Sequence, residues 1–487
     1  MYKKTFACIL ACIVIFSAMP VAAQTTTPPP TTPQTSTPPP VTTQTSNPPS
    51  GPVYIVKAGD TLWDISGRFN VSVADITAAN NLPNQNIYPG DQLVIPGLDG
   101  LSGTLITQPV PFGESLRSLG RQYRVDPALL IKLNHIVSPA QLYAGFNLIL
   151  LQQDNQETLT AHTTLGKGDT LLEMAVRQNT DPWTIAQVNN LSGPANGLPG
   201  DVLFLINGTS SATTGAFPSP ITSIVVDPLP VTQGATVQVK VNLSQEATLS
   251  GLLVDQPLQF FPVDDGSQVA LQGIHAMTDP GVYPLRIDVE LPDGSKESFE
   301  QMVLVNSGNY PTETINGVDP ATIDPAITGP EDAWLLSMVT PVTPEKYWRG
   351  TFQLPVDSQY CIRSGYGNRR TYNNGVLHSF HSGIDFGICS EAHPFDIYAP
   401  ADGAVVYTGL KTVRGNVTII DHGEGVYSAF FHQAEIYVSV GDHVTAGQLI
   451  GKIGATGRVT GPHVHWDLWV NGIQVNPMAW LKETFPH

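Results

Sequence analysis

Positive charge is scarce in this chain of 487 residues, which has 23 lysines and arginines against 41 aspartates and glutamates and a formal net charge of −18. Such an acidic balance argues against nucleic-acid partners, which attract basic surfaces. Long apolar runs are scarce as well. After residue 23 no stretch is apolar over enough residues to span a bilayer. Cysteine occurs only four times.

The first 23 residues are typical of a secretory signal. Lys3 and Lys4 precede an apolar run over residues 6–18, and small residues end the segment. We expect cleavage after Ala23. An uncleaved anchor is the alternative, whereas a lipoprotein signal at Cys12 is disfavoured because the apolar run continues beyond that cysteine.

Removal of this signal would leave two cysteines, Cys361 and Cys389. An even pair of cysteines in an exported chain indicates a disulfide. Two separate buried thiols are the alternative.

A spacer and an internal repeat follow the signal. Residues 24–52 are almost entirely Thr, Pro, Gln and Ser, which predicts an extended linker. Beyond it, glycines and asparagines recur about every 55 residues. The first copy has the pattern strand, helix, helix, strand, so we predict three small α/β units. Their expected boundaries are 53–97, 103–152 and 158–207.

The pattern changes in the second half of the chain. Residues 218–307 contain short alternating runs separated by Gly, Pro and Asp turns, which predicts an antiparallel immunoglobulin-like β-sandwich. Residues 308–346 are rich in Pro, Thr and Asp, and we expect a linker with one short helix near residues 330–338. The C-terminal domain is then 347–487.

Histidine is concentrated in that last domain, where eight of the twelve histidines lie between residues 378 and 465. One string there, His381-Ser-Gly-Ile-Asp385, contains Gly383, which disfavours a helix. In the extended backbone that is left, residues i and i+4 lie on the same face of a strand. His381 and Asp385 can therefore reach the same point.

A second string, His463-Val-His465, follows the same rule, because His463, His465 and Asp467 alternate with apolar residues. Two imidazoles and a carboxylate are the ligand set expected of a catalytic zinc, which keeps a fourth position for water or substrate. Ordinary surface or core histidines are the alternative. Five further histidines lie outside these strings, and we expect four of them at the surface or in a groove: His378, His393, His422 and His443.

Residues 347–480 resemble the lysostaphin-type (LytM-like) zinc endopeptidases, which cut peptide bonds in bacterial peptidoglycan. The family's fold is rich in β-structure. Five strings carry the resemblance: SGYGNR at 364–369, HSGIDF at 381–386, APADG at 399–403, GDHVTAGQ at 441–448 and TGRVTGPHVHW at 456–466.

By position, the resemblance implies a zinc ion held by His381, Asp385 and His465. The chain departs from the usual family pattern twice. It has Gln433 where leucine is usual and Asp467 where glutamate is usual, and neither change removes a ligand.

The resemblance also implies two active-site histidines that do not bind the metal, His432 and His463. We expect His463 to act as general base and His432 to stabilise the developing oxyanion. Asp467 would orient a ligand imidazole from outside the ligand set.

The three repeats resemble LysM modules, which bind the N-acetylglucosamine-containing glycan of cell walls and chitin. Copy two matches poorly, with FGESL at 112–116, and is a candidate for a purely structural role. Small α/β repeats without a glycan role are the alternative for the whole set. The implied glycan-binding residues precede the first helix in copies one and three: Gly59, Asp60, Thr61, Gly168, Asp169 and Thr170.

The sequence therefore predicts a multidomain chain of small α/β LysM repeats, an all-β immunoglobulin-like sandwich and a β-rich metallopeptidase domain. We expect a secreted, cell-wall-associated or periplasmic zinc metalloendopeptidase that acts on the peptide stems or cross-bridges of peptidoglycan. Its LysM modules would bind the glycan, with neither nucleic acid nor a membrane span involved. The oligomeric state and the bond cut stay open. The alternatives are a non-catalytic wall-binding protein that recruits or activates other hydrolases, and a protease acting outside the wall.

Overall fold

The computed structural model describes residues 51–98, 100–138, 141–153, 159–166, 168–206, 217–357, 361–387 and 395–486. The predicted signal peptide, nearly all of the first linker and Cys389 lie outside the described residues. Within them, no helix combines the length and the apolar character needed to cross a membrane.

Each of the three repeats forms a strand, two helices and a strand, which confirms the predicted unit. Thr61, Ser115 and Thr170 begin the first helix of each copy, where their hydroxyls accept a hydrogen bond from a backbone N–H of the first turn. The elements are β1 (Val53–Ile55), α1 (Leu62–Phe69), α2 (Val73–Ala79) and β2 (Gln92–Val94); β3 (Thr104–Pro109), α3 (Leu116–Gln122), α4 (Pro127–Leu133) and β4 (Asn147–Gln152); and β5 (His162–Thr164), α5 (Leu171–Arg177), α6 (Pro182–Val188) and β6 (Val202–Phe204).

The repeats are joined to one another. Copies one and two share a four-stranded sheet in the order β2-β1-β3-β4, in which β1 and β3 run parallel. Copy three has its own two-stranded sheet. The buried guanidinium of Arg121 on α3 connects it to copy two, donating to the carboxylate of Asp201 (3.2 Å) and the carbonyl of Val202 (2.9 Å).

Residues 221–306 fold into the expected sandwich of two sheets. The strands are β7 (Ile221–Asp227), β8 (Val231–Thr232), β9 (Thr236–Leu243), β10 (Thr248–Leu253), β11 (Gln256–Pro257), β12 (Phe260–Pro262), β13 (Gln268–Gly273), β14 (Gly281–Glu290) and β15 (Lys296–Asn306). One sheet has the order β11-β10-β14-β15-β8 and the other β12-β13-β9-β7. All pairs are antiparallel except β8 with β15, which is parallel, so the antiparallel prediction was wrong at that edge.

Copy two of the repeats packs against the sandwich. Phe112 contacts Phe217 and Phe299, with ring centroids 6.4 Å and 5.4 Å away. The backbone N–H of Gly113 donates to the side-chain carbonyl of Gln301 at 2.6 Å. The loop before α3 is therefore covered, whereas the corresponding glycines of copies one and three have open space around them.

The segment 308–346 is not the linker that we predicted from its composition. It contains β16 (Thr312–Ile315), a short 3-10 turn (Pro320–Thr322) and α7 (Pro325–Val339), a helix longer than expected. The cause is long-range packing. Glu331 on α7 is buried. Its carboxylate accepts hydrogen bonds from the backbone N–H groups of Val413 (3.0 Å) and Arg414 (2.8 Å).

The C-terminal domain is rich in β-structure, as predicted. Its elements are β17 (Cys361–Ser364), β18 (Arg369–Tyr372), β19 (Leu377–Phe380), β20 (Ile384–Gly387), β21 (Asp396–Tyr398), β22 (Gly403–Lys411), β23 (Gly415–Gly423), β24 (Val426–Gln433), β25 (Glu435–Ile436), β26 (His443–Val444), β27 (Leu449–Lys452), β28 (His463–Val470), β29 (Ile473–Val475) and α8 (Pro477–Trp480). The main sheet has the order β17-β20-β28-β24-β23-β22-β26. A smaller sheet has the order β16-β18-β19. Its strand β16, from the segment that we predicted to be a linker, pairs with β18 in parallel.

Strands β20, β28 and β24 lie side by side in the main sheet and carry the predicted site. The register places His465 of β28 opposite Asp385 on one side and Phe431 on the other. On the opposite face of β28, Val464 and Trp466 are buried in the core of the domain. The alternation expected from the sequence therefore holds along this strand.

Candidate metal centre

Three side-chain atoms converge at the end of β20 and β28. The Nε2 of His381, the Oδ1 of Asp385 and the Nδ1 of His465 are each 2.9 Å from the other two. All three side chains are buried. His381 lies in the bend just before β20 rather than in the strand itself, because the strand begins at Ile384.

The remaining nitrogen of each imidazole is held by an oxygen acceptor. The Nδ1–H of His381 donates to the carbonyl of Gly365 at 2.7 Å, and the Nε2–H of His465 donates to the carboxylate of Asp467 at 2.6 Å. Both rings therefore direct a lone pair at the oxygen of Asp385. Three lone pairs this close repel one another unless a cation lies between them, so the donor set fits a metal ion.

The other oxygen of Asp385 is held outside the cluster. The guanidinium of Arg370 donates to this Oδ2 at 3.0 Å, and Glu313 of β16 lies 3.4 Å from the same guanidinium. Burial would raise the pKa of Asp385, but the imidazoles of His381 and His465 outweigh it and hold that pKa well below its usual value. The carboxylate is thus ionised and oriented.

Two more imidazoles lie beside the cluster. The ring centroids of His432 and His463 are 4.9 Å apart, and the Nε2 of His463 is 3.7 Å from the Oδ1 of Asp385. His432 lies within an irregularity in the pairing of β24 with β23, between Phe430 and Gln433, and has a φ of 65°. A left-handed backbone is uncommon for a residue other than glycine and recurs at functional sites.

Both of these rings have the same tautomer. The Nδ1–H of His432 donates to the carbonyl of Thr456, and that of His463 donates to the carbonyl of Gly461, each at 2.8 Å. Each neutral ring therefore presents an unprotonated Nε2. Burial, and then the imidazoles of His463 and His465, lower the pKa of His432 well below its usual value, which favours the neutral ring.

A cleft of about 130 Å³ opens at the cluster. Its walls include the three clustered residues, both neighbouring histidines and three arginines, Arg370, Arg414 and Arg458. Ile315 and Val318, from the segment predicted to be a linker, form part of one wall. The cleft and the cluster together have the form of a metal-dependent hydrolytic site, with two further imidazoles beside the cluster.

Sequence models of known families match four parts of the chain. Peptidase family M23 matches residues 379–477, and the LysM domain matches residues 54–96, 110–150 and 164–205. The chain carries an M23 peptidase domain and three LysM domains. The resemblances found in the sequence are confirmed.

Known proteins are similar to part of the chain. The peptidoglycan DD-endopeptidase ShyA of Vibrio cholerae is 40% identical over 126 residues, which are 26% of this chain and 28% of that protein. The DD-carboxypeptidase/endopeptidase Mpg of Neisseria meningitidis is 36% identical over 120 residues, 24% of this chain and 26% of that protein. The match thus spans little more than a quarter of these relatives.

Solved structures give partial matches. A peptidase M23 of Pseudomonas aeruginosa is 26% identical and covers 52% of this chain and 95% of its own, with a TM-score of 0.39. The catalytic domain of lysostaphin from Staphylococcus simulans is 30% identical and covers 26% of this chain and 99% of its own, with a TM-score of 0.22.

The two departures from the family pattern lie outside the cleft wall. Asp467 is fully buried and holds the Nε2–H of His465, the position in which it was expected. Gln433 is also fully buried, and its amide donates to the hydroxyl of Thr418 at 2.9 Å. Neither change alters the cluster of lone pairs.

The predicted glycan-binding residues of LysM copies one and three shape their loops. Asp60 accepts hydrogen bonds from the hydroxyl of Tyr54 (2.7 Å) and the N–H of Lys57 (2.8 Å), and Thr61 caps α1. In copy three, Asp169 accepts from the N–H of Gly166, and Thr170 and Glu173 form a capping box at α5. Gly59 and Gly168 have φ of 89°, which glycine adopts without strain.

Two exposed aromatic side chains of copy one were missed in the sequence. Trp63, the second residue of α1, is 77% exposed. Tyr88, two residues before Gly90 in the loop that leads to β2, is 65% exposed. Neither the polar neighbours of these two residues nor the helical spacing around Trp63 indicated that the rings would be exposed to solvent.

Other residues singled out in the sequence have mixed outcomes. Cys361 is disulfide-bonded, but Cys389 lies outside the described residues, so the pairing stays a prediction. His378 and His443 are exposed, as expected, and His393 is outside the described residues. His422 was predicted wrongly. It is fully buried between the carbonyl of Asp402 and the hydroxyl of Ser428.

Proposed function

We propose that this chain is a zinc metalloendopeptidase that hydrolyses peptide bonds in bacterial peptidoglycan. The convergence of the lone pairs of His381, Asp385 and His465 in an open cleft carries the proposal. A tetrahedral ion with two imidazole ligands and one carboxylate, leaving a fourth position for water or substrate, suits zinc. Bound there, zinc would polarise the substrate carbonyl and lower the pKa of a water molecule to about 7.

The chain's own groups would then move the protons. His463 is placed to act as general base, because the carbonyl of Gly461 holds its Nδ1–H and leaves the Nε2 free to accept a proton at the cleft. After accepting that proton, His463 can donate it to the leaving amine. Its location on β28, two residues before the ligand His465, keeps the base fixed relative to the metal site.

His432 is the second proton carrier in this proposal. Since its Nδ1–H is bound to Thr456, a neutral His432 can only accept a hydrogen bond at Nε2. Because its pKa is held well below the usual value, the ring is suited to accept a hydrogen bond or a proton from the attacking water at Nε2, and not to donate to an oxyanion. This role differs from the oxyanion stabilisation that we expected of His432 from the sequence.

The LysM domains would hold the enzyme at the wall. Copy one offers the exposed rings of Trp63, four residues after Gly59, and of Tyr88, two residues before Gly90. Copy two offers no such loop, because Phe112 and Gly113 are covered by the sandwich. Linked binding by the exposed copies would raise the local concentration of the peptidase at its substrate. A wall-bound substrate also agrees with the proposed secretion.

The relatives' names indicate the class of bond. ShyA and Mpg are named for DD-endopeptidase activity, which is cleavage between two D-configured residues. We therefore favour the D-alanyl cross-link of stem peptides over other bonds in the wall.

The test is digestion of purified peptidoglycan by the zinc-loaded full chain, with fragments identified by mass spectrometry. New amino termini at D-alanyl cross-links are expected. An intact wall would contradict the proposal and would favour a non-catalytic wall-binding role.

Wall binding is tested by co-sedimentation of the full chain with insoluble peptidoglycan. Trp63→Ala should reduce the pelleted fraction, whereas Val137→Ala, which alters an 88% exposed apolar side chain of copy two, should not. Equal pelleting of the Trp63 variant and the unmodified protein would exclude the assigned surface.

A further inference from the structure

The cleft is basic although the chain is acidic. Arg370, Arg414 and Arg458 contribute to its wall, and Asp385, a proposed zinc ligand, is the one carboxylate among its lining residues. The chain as a whole has a formal net charge of −18. The cleft therefore has a local excess of positive charge, opposite in sign to the net charge of the chain, as expected where an anionic ligand binds.

Two of these arginines already have carboxylate partners. Arg370 lies 3.0 Å from Asp385 and 3.4 Å from Glu313. Arg414 lies 3.2 Å from Glu331 and 2.6 Å from Asp332. Their charges are therefore largely compensated within the protein.

Arg458 differs from the other two. Its Nη1–H donates to the carbonyl of Thr322 at 3.0 Å, and its guanidinium lies 4.9 Å from the ring centroid of Tyr372. Among the residues that the structure describes, it makes no ion pair with a carboxylate. These contacts orient the guanidinium but leave its charge unpaired.

The surroundings of Arg458 make this unpaired charge costly. Burial lowers its pKa below the usual value, and the guanidiniums of Arg414 and Arg370 lower it further; Tyr372 and Asp332 oppose this shift without cancelling it. The side chain is half-buried, so water only partly compensates the charge. An incoming carboxylate would relieve the repulsion and gain hydrogen bonds to a guanidinium that is already oriented.

The cleft also continues past Arg458. A second cavity of about 460 Å³ shares Phe380, Ser382, Arg414 and Arg458 with the first and extends towards α7. Arg458 thus lies at the junction of the two, beside the path that a peptide would follow away from the metal cluster. A group that binds there belongs to the substrate near the bond that is cut.

We propose that Arg458 binds a free carboxylate of the peptide, close to the scissile bond. The inference rests on the proposed peptidoglycan endopeptidase function and narrows its substrate to stem peptides that carry such a carboxylate. A neutral cross-bridge offers no partner for this guanidinium. Arg458 is therefore a specificity residue, outside both the metal ligands and the proton carriers.

The test uses two synthetic cross-linked stem-peptide dimers that differ only in the carboxyl group next to the scissile amide, which is free in one and amidated in the other. Both are assayed as substrates and as competitors of wall digestion, with the zinc-loaded full chain. We expect the dimer with the free carboxylate to have a kcat/KM, or an affinity as a competitor, about tenfold to hundredfold higher than the amidated dimer. This is the size of effect expected for a hydrogen bond between charged groups.

Variants then test whether Arg458 causes the preference for the free carboxylate. Arg458→Gln should bring the ratio between the dimers close to one, and Arg458→Lys should restore part of it because the positive charge returns. Arg349→Gln removes an exposed arginine that does not line the cleft and should keep the full ratio. Zinc content and melting temperature of each variant establish that it is folded.

The outcomes separate the two claims. A ratio near one in the unmodified protein, with both dimers and the wall digested, overturns the carboxylate inference and leaves the endopeptidase function standing. A ratio that persists in Arg458→Gln overturns the assignment to Arg458. Failure to digest the wall and both dimers overturns the proposed function itself, and the inference with it.

Discussion

Replacement of Asp467 by asparagine should weaken metal binding without removing a ligand. Asp467 is fully buried, and its Oδ1 accepts the Nε2–H of His465 at 2.6 Å. This contact fixes the tautomer in which the Nδ1 of His465 faces the metal cluster. Asparagine keeps the shape of the side chain but loses the negative charge that makes His465 a stronger ligand.

The magnitude follows from the type of contact. A hydrogen bond to a charged group contributes about 1.5 to 3 kcal/mol. Outer partners of ligand imidazoles change metal affinity by about 10-fold to 100-fold, which is about 1.4 to 2.8 kcal/mol. The two estimates agree, so we expect zinc dissociation constants about 10 to 100 times higher in Asp467→Asn.

The assay is competition for zinc between the protein and a chromogenic chelator, followed by wall digestion at saturating zinc. Digestion should recover largely in excess zinc, because His381, Asp385 and His465 are all still present. Asp255→Asn, in an exposed turn of the sandwich, is the matched control and should bind zinc normally. Unchanged zinc affinity in Asp467→Asn would refute the reasoning.

Three further predictions concern the fold around the site. At Gly383 an added Cβ would collide with the carbonyl oxygen of Trp466, so Gly383→Ala should lower the free energy of unfolding by about 1 to 3 kcal/mol; an unchanged melting temperature would contradict the close approach. Burial lowers the pKa of His422 to about 4 and outweighs the opposing effect of its hydrogen bond to the carbonyl of Asp402. Because the unfolded histidine takes up a proton below about pH 6.5, the free energy of unfolding should fall by up to about 3 kcal/mol as the pH drops from about 6.5 to 4. Thermal melts of His422→Gln should lose this pH dependence. Equal dependence of the melting temperature on pH in the variant and the unmodified protein would contradict the prediction. Peptide mapping without reduction should recover Cys361 linked to Cys389, and finding both as free thiols would end that pairing.

The sequence was most informative where local rules act. Period-two alternation along β28 placed His463 and His465 on one face and Trp466 in the core, and the structure confirms that arrangement. Motif strings placed His381 and Asp385 in the same centre. Repeat spacing and cap residues located the LysM domains, since helix starts depend on neighbours within one turn.

Long-range contacts could not be predicted in this way. Residues 308–346 have the composition of a linker, yet Glu331 binds the backbone of a loop that lies 82 residues away in the sequence. His422 has no local feature that distinguishes a buried histidine from an exposed one. The same holds for Arg458, whose unpaired charge becomes visible only when the partners of Arg370 and Arg414 are known.

The central claim assigns three residues to the metal and two to proton transfer, and one pair of variants tests it most directly. His465→Ala removes one of three ligands, so zinc content and wall digestion should fall together. His463→Ala leaves the ligands whole, so zinc should stay bound while the rate of digestion drops about 10²-fold to 10⁴-fold. Zinc content by atomic emission, measured beside the digestion rate, distinguishes the two. A zinc-free His463→Ala protein, or a His465→Ala protein that retains zinc, would contradict the assignment.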